Sequence, residues 1–266
     1  MMSLMTAACA DFLPMGRLIE PKYAASTKVP ILMYHDISYD SHDEYTVTPS
    51  MFAAQMEWLY SNGYQTVAFS EIDRLIKGEF RKPIIITFDD GYASYGSYAF
   101  PFMQRYKFKA TINAIGNSVG SYVTYGKNRP ALSWDEYRYY VNTGLLEVGC
   151  HTFALHEYGY QSKWREFEDK LPGDLKTFQK IYTEKLGKPA QVIAWPYGFY
   201  TPGSIEIAKQ AGFKYILGSE NAFMTFPLQT PGEAPFSISD LPVISRIVIL
   251  KTADISSLSR ILEKQA

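Results

Sequence analysis

The run Pro83-Ile84-Ile85-Ile86-Thr87-Phe88 constrains this chain more than any other, and it leads straight into Asp89-Asp90-Gly91. Consecutive β-branched residues disfavour a helix and suit a strand. Apolar side chains at both odd and even positions require burial on both faces, which is the condition of a strand inside a parallel sheet. Parallel neighbours must return through long crossovers, usually helices. The rest of the chain supplies them. Short apolar runs at 30–34, 64–67, 110–115, 146–150, 191–195, 214–217 and 245–250 read as further strands. Thr48-Pro49 opens a helix as N-cap and first-turn proline, and Gly63 stops it. Ser70 is the expected cap of a helix through Ile72, Leu75 and Ile76, and 99–106 reads as another. Ser133-Trp134-Asp135-Glu136 is a capping box for a helix that Gly144 closes. A long polar helix is expected within 163–186, broken at Pro172-Gly173, with others at 203–211 and after Asp254. The Pro-, Ser- and Thr-rich stretch 220–240 reads as a loop. Such alternation predicts an α/β fold, a parallel sheet covered by helices, and the strand count favours a closed or nearly closed barrel over an open sheet. One domain over 29–266 is expected behind a leader, 1–28.

Composition narrows the function classes. Lys+Arg is 26 and Asp+Glu is 27, a formal charge of −1, which argues against a dedicated nucleic-acid or anionic-membrane binder. No G-x-G-x-x-G or phosphate-loop motif follows a strand, so nucleotide binding has no motif support. The 21 Tyr, 16 Phe and 4 Trp suit a flat neutral ligand such as a sugar, although most such rings serve a core. Of the two cysteines, Cys150 sits in an apolar run and reads as a buried, inert thiol, while Cys9 lies in the leader. Met1–Ala10 is apolar with small residues, like the end of a secretory signal, and predicts an exported protein; it lacks a basic start, and Thr6-Ala7-Ala8-Cys9 is a poor lipoprotein site. After the leader no stretch approaches the roughly 20 apolar residues of a membrane span.

In barrels the working residues sit at the C-terminal ends of strands. Asp89-Asp90-Gly91 follows one strand, His151 through His156 another, Pro196-Tyr197-Gly198 a third and His35-Asp36 a fourth. Three of the four histidines thus fall at strand ends; His42, in a polar stretch, reads as a solvated loop residue. Two imidazoles and a carboxylate suit a borderline divalent ion, zinc first, with nickel, cobalt or iron as alternatives. Asp90, His151 and His156 are the expected ligands. Asp89 then stays off the metal as a base.

Thr87-Phe88-Asp89-Asp90-Gly91, His151-Thr152 with His156, and Trp195-Pro196-Tyr197-Gly198 together resemble the three signatures of the polysaccharide deacetylases, carbohydrate esterase family four. The five-residue step between the histidines and the opening Tyr34-His35-Asp36-Ile37 are similar to the branch that de-N-acetylates poly-β-1,6-N-acetylglucosamine. The resemblance runs from about Val29 to Ile249. It implies a distorted (β/α) barrel of about seven strands, a metal on Asp90, His151 and His156, and Asp89 as catalytic base. It also implies an oxyanion donor in the backbone N–H of Tyr197. Two departures stand out. No histidine follows His156, so the family's late catalytic histidine has no counterpart, and His35 takes that role by the resemblance. Ala194 stands where the family carries a base-orienting Arg, and Arg246 is the candidate substitute. Tyr34, Tyr92, Trp195 and Trp134 are candidate faces for a sugar ring.

The implied activity is metal-dependent removal of acetyl groups from N-acetylglucosamine units of an extracellular or cell-envelope polysaccharide. Peptidoglycan, chitin oligomers and O-acetylated xylan remain alternative substrates. A carbohydrate-binding barrel without turnover is the rival from another class. Oligomeric state is left open by the sequence.

Overall fold

Parallel strands in the order β10-β9-β8-β5-β4-β2-β12 make one curved sheet. The strands are β1 (Ala25–Val29), β2 (Ile31–Tyr34), β3 (Gln65–Thr66), β4 (Pro83–Asp90), β5 (Ala110–Ala114), β6 (Tyr122–Val123), β7 (Arg129–Pro130), β8 (Leu146–Cys150), β9 (Val192–Ala194), β10 (Tyr215–Leu217), β11 (Met224–Leu228) and β12 (Ile247–Val248). The helices are α1 (Pro49–Ser61), α2 (Ile72–Ile76), α3 (Phe100–Tyr106), α4 (Trp134–Asn142), α5 (Trp164–Leu186), α6 (Pro202–Gln210) and α7 (Ile255–Glu263). The computed structural model describes residues 25–40, 43–124, 128–159, 161–222, 224–228 and 243–263. Cys9, His42 and most of the 1–28 and 220–240 stretches lie outside the described residues.

The sheet closes through its last segment. Ile244 bridges Leu217 of β10, with Ile244 N donating to Ile216 O (2.7 Å) and Gly218 N donating to Ile244 O (2.9 Å). Three residues later Ile247 and Val248 pair with Leu32 and Met33 of β2. One stretch of chain therefore joins both edges, and the expected distorted α/β barrel is observed.

Strand alternation divides the apolar residues between two layers. On β4, Ile84, Ile86 and Phe88 pack outward with Phe52, Met103 and Val148 beneath the helices. Ile85 packs inward with Ile31, Val192, Leu217 and Ile244. The same inward series continues through Thr87 to Asp89, so the lumen is apolar at the strand beginnings and polar at their ends. Cys150 is a buried free thiol, as expected, and burial pushes its pKa well up.

Four local expectations need correction. Residues 224–228 are not loop: they form β11, antiparallel to β1, which begins at Ala25, ahead of the expected boundary at 29. Buried Phe226 and Val29 join the inward apolar cluster and give the pair its packing energy. Ser70 does not cap α2; the amides of Phe69 and Ser70 donate instead to the Glu147 carboxylate, at 2.9 and 3.1 Å. Finally, α5 runs unbroken through Pro172. An internal proline costs about 3 kcal/mol, but Phe167, Leu171, Leu175, Phe178 and Tyr182 bury one continuous face on both sides of it.

Candidate active site

The strand ends converge on a cleft of about 570 Å³ whose lining includes His35, Asp89, Asp90, His151, His156 and Arg246. Period-two alternation would send neighbouring Asp89 and Asp90 to opposite faces. Asp90 escapes it with a left-handed backbone, φ 72°, followed by Gly91 at φ 85°. Both acids thereby reach one cleft. A side chain at Gly91 would meet the Tyr137 hydroxyl at 2.5 Å, so the turn requires glycine on two counts. Thr152 (φ 66°) and Tyr197 (φ 57°) hold the same uncommon conformation beside β8 and β9. Such outliers gather where a site over-determines the backbone.

Asp90, His151 and His156 present ligand atoms that all lie within 4.8 Å of one another. Asp90 Oδ1 is 3.5 Å from the Nε2 atoms of both histidines, is buried, and accepts no hydrogen bond of good geometry. His151 Nδ1 donates to the Ala194 carbonyl at 2.8 Å, which leaves its Nε2 lone pair facing Asp90. His156 is steadied by Tyr197, whose hydroxyl lies 3.3 Å from Nδ1. Burial lowers the His151 pKa to about 4, against the pull of Asp89, so the ring is neutral at pH 7. Burial works to raise the Asp90 carboxyl, but hydrogen bonding and charge from His156, with His35 and His151, bring it to about 2. An ionised carboxylate with an orphaned buried oxygen, and two imidazoles, fit a borderline divalent cation.

Asp89 stands apart from this cluster and belongs to Arg246. Nη1 donates to Oδ1 at 2.7 Å and Nη2 to Oδ2 at 2.8 Å, a bidentate pair. The guanidinium is fully buried and also donates to the Gly218 carbonyl (2.8 Å) and Thr87 Oγ1 (3.2 Å). Burial acts to raise the Asp89 pKa; Arg246, then His151 and His35, outweigh it and hold the carboxyl well below the usual range. Asn113 Nδ2 adds a third bond, to Oδ1 at 2.8 Å. Sequence reading missed Asn113. The signal was a polar residue inside an apolar strand, in the β5 position directly opposite Asp89. Gly149 on β8 makes room for it, since a Cβ there would overlap Asn113 Oδ1.

His35 lines the cleft, with its ring 5.1 Å from Tyr45 and its Nδ1 buried without a hydrogen bond. The proposed sugar faces fare differently. Tyr34 is fully buried in the outer layer, against Phe52 and Phe88, with its hydroxyl on Gln55. It cannot touch a ligand in the cleft, because alternation turns it away from the side His35 faces. Trp195 lines the cleft floor, but its indole is wholly buried edge-on to Phe167. Tyr92 lines the cleft and is also buried; burial, with the charges of Asp90 and Asp36, raises its pKa strongly. Trp134 packs on Tyr137 and Tyr182 instead. The rings that the cleft does expose are Tyr45 (43%) and Tyr197 (47%).

The sequence profile described as polysaccharide deacetylase matches residues 77–216. YxkH of Bacillus subtilis (strain 168) is 30% identical over 193 residues, 70% of this chain and 63% of that protein. A poly-beta-1,6-N-acetyl-D-glucosamine N-deacetylase of Staphylococcus aureus (strain MSSA476) is 30% identical over 186 residues, 68% of this chain and 63% of the relative. The chain thus spans a little under two thirds of these curated relatives. Among solved structures, BC0361, a polysaccharide deacetylase from Bacillus cereus, matches with a TM-score of 0.71 at 25% identity, over 89% of this chain and 69% of the other.

Proposed function

The chain belongs to the polysaccharide deacetylase family, and from that premise we propose that it is a metal-dependent hydrolase that removes N-acetyl groups from N-acetylglucosamine units of an extracellular polysaccharide. The observation that carries this reading is the division of labour at one strand end: Asp90 with two histidines, and Asp89 off that cluster on a buried Arg. The similarity to a named poly-beta-1,6-N-acetyl-D-glucosamine N-deacetylase supports a β-1,6-linked polymer as substrate, and with it action outside the cell or at its envelope. No helix among the described residues is long and apolar enough to cross a membrane.

Asp90, His151 and His156 would hold the ion, zinc first and nickel, cobalt or iron otherwise. When bound, such an ion acts as a Lewis acid toward water and the acetamide oxygen. The protein's own groups do the rest. Asp89 accepts the proton of the attacking water; Oδ2 accepts from Arg246 Nη2 and keeps a further lone pair for it. Arg246 and Asn113 hold that carboxylate ionised and in place. The amide of Tyr197 donates to the oxyanion that develops on the acetyl carbon. His35 donates a proton to the departing nitrogen, since an amine anion is too poor a leaving group. The C–N bond breaks as that proton arrives, giving acetate and a free amino sugar.

Acetate release is the test, measured on β-1,6- and β-1,4-linked N-acetylglucosamine oligomers, peptidoglycan and acetylated xylan, with metal stripped and restored. Release from the β-1,6 oligomer, lost on chelation and in Asp89→Asn, is expected. Release from another polymer alone would reassign the substrate. No release from any, with metal loaded, would leave a binding barrel.

A further inference from the structure

His151 and His156 are five residues apart, a spacing that no helix face can serve: five α-helical steps leave two side chains roughly 140° apart. Helical ligand pairs sit four apart and inherit their rigidity from the backbone ladder. Here the connecting loop needs outside partners for its amides and carbonyls. The carbonyls of Thr152 and Phe153 accept from Gly116 N (3.0 Å) and Asn117 N (2.8 Å), just past β5. The amides of Phe153 and Ala154 both donate to one carboxylate, Asp174, at 2.6 and 2.7 Å. Thr152, at φ 66°, turns those successive N–H groups to one side, which makes a backbone nest for an anion. Asp174 comes from the third turn of α5, two residues past Pro172, so it reaches the loop because that helix does not break.

We infer that Asp174 is a positioning residue for the metal centre: seated on the Phe153 and Ala154 amides, it fixes the loop that sets the separation of His151 and His156. The inference rests on the metal site proposed above. Asp174 touches neither the ion nor the substrate. Its carboxylate offers one acceptor oxygen to each donor, and an amide isostere does not, because it turns one N–H group toward the nest.

The test uses Zn²⁺ alone, in competition with a chromophoric chelator, on the full chain. Asp174→Asn should weaken Zn²⁺ affinity about 10- to 100-fold, the range usual for groups that support metal ligands, and should alter the absorption bands of the Co²⁺-loaded form. A merely structural role would lower the melting temperature of the metal-free protein and leave Zn²⁺ affinity within twofold; that result overturns the inference. Should Asp174→Asn fail to fold, hydrogen exchange on the wild type decides. Coupling is reciprocal, so Zn²⁺ must slow exchange at the Phe153 and Ala154 amides, and unchanged rates overturn the inference. A wild type that binds no Zn²⁺, or binds it equally well after His156→Ala, overturns the metal site itself.

Discussion

Replacing Arg246 by methionine tests the core of the site. The arginine is fully buried and donates to both oxygens of Asp89, to the Gly218 carbonyl and to Thr87 Oγ1. Methionine fills much of the same volume but strands Asp89 in the lumen with only Asn113 as a partner. Removing one member of a buried pair costs about 3–5 kcal/mol, because the remaining charge is uncompensated. In a chain of this size each kcal/mol moves the melting temperature by about 2–4 °C, so a fall on the order of 10 °C is expected. The double variant Asp89→Asn/Arg246→Met removes both charges and should recover much of the loss. Thermal unfolding of metal-free protein at pH 7 measures all three. The pH dependence has a definite sign. Asp89 has a depressed folded pKa, so its stabilisation is full above the unfolded aspartate value of about 3.9 and is lost as pH falls through the folded value. The gap between wild type and Arg246→Met should therefore close in strong acid. A single variant that loses under about 1 kcal/mol, or a double variant no more stable than the single, would refute the reasoning.

Other expectations concern individual groups. Asp89→Asn should retain metal and lose kcat by about 10²- to 10⁴-fold; joint loss of metal and activity would make Asp89 a ligand. His35→Ala should abolish amide hydrolysis yet largely spare activated phenyl acetates, whose leaving group needs no proton, and equal losses on both would remove the acid role. Gly149→Ala should push Asn113 off Asp89, cost about 1–3 kcal/mol and lower kcat with metal retained; a variant as active as wild type would show that Asn113 is dispensable. Burial raises the Glu147 pKa despite the hydrogen bonds it accepts from Ser70, Phe69 and Thr111. Its contribution is thus full below the unfolded value of about 4.3 and lost as pH rises through the folded one. Stability against pH should show that slope in metal-free wild type and lack it in Glu147→Gln; identical profiles would contradict it.

The barrel was legible because each strand run and each helix boundary carried its own chemistry: the β-branched run at 84–87, Thr48-Pro49, the Ser133 capping box. The ends of those strands pointed to Asp89, Asp90, His151 and His156 before any geometry was known. What escaped was what depends on pairing between distant strands. Asn113 and Gly149 matter only through the register that sets Asp89, Asn113 and Gly149 side by side. Tyr34 could have been excluded from sequence: on a strand, the neighbour of an inward His35 faces outward. The Pro172 break was a local rule that lost to tertiary packing along α5. β11 was hidden because antiparallel pairing with β1, not composition, makes residues 224–228 a strand.

The stretch that joins the two sheet edges also carries Arg246, and this has a consequence for the order in which the protein can assemble. Everything expected to hold the metal has been synthesised by residue 156, yet, among the described residues, the cation that donates hydrogen bonds to Asp89 arrives some ninety positions later. At about 5–20 residues per second, a nascent chain spends on the order of ten seconds with Asp89 lacking its arginine partner. Closing the barrel over Asp89 before Arg246 arrives would leave a buried, unpaired charge, so the ring is expected to stay open until then. When residues 244–248 arrive, they join the last edge of the sheet and deliver the counterion in the same motion. Closing the barrel and pairing Asp89 with Arg246 are thus expected to be one event.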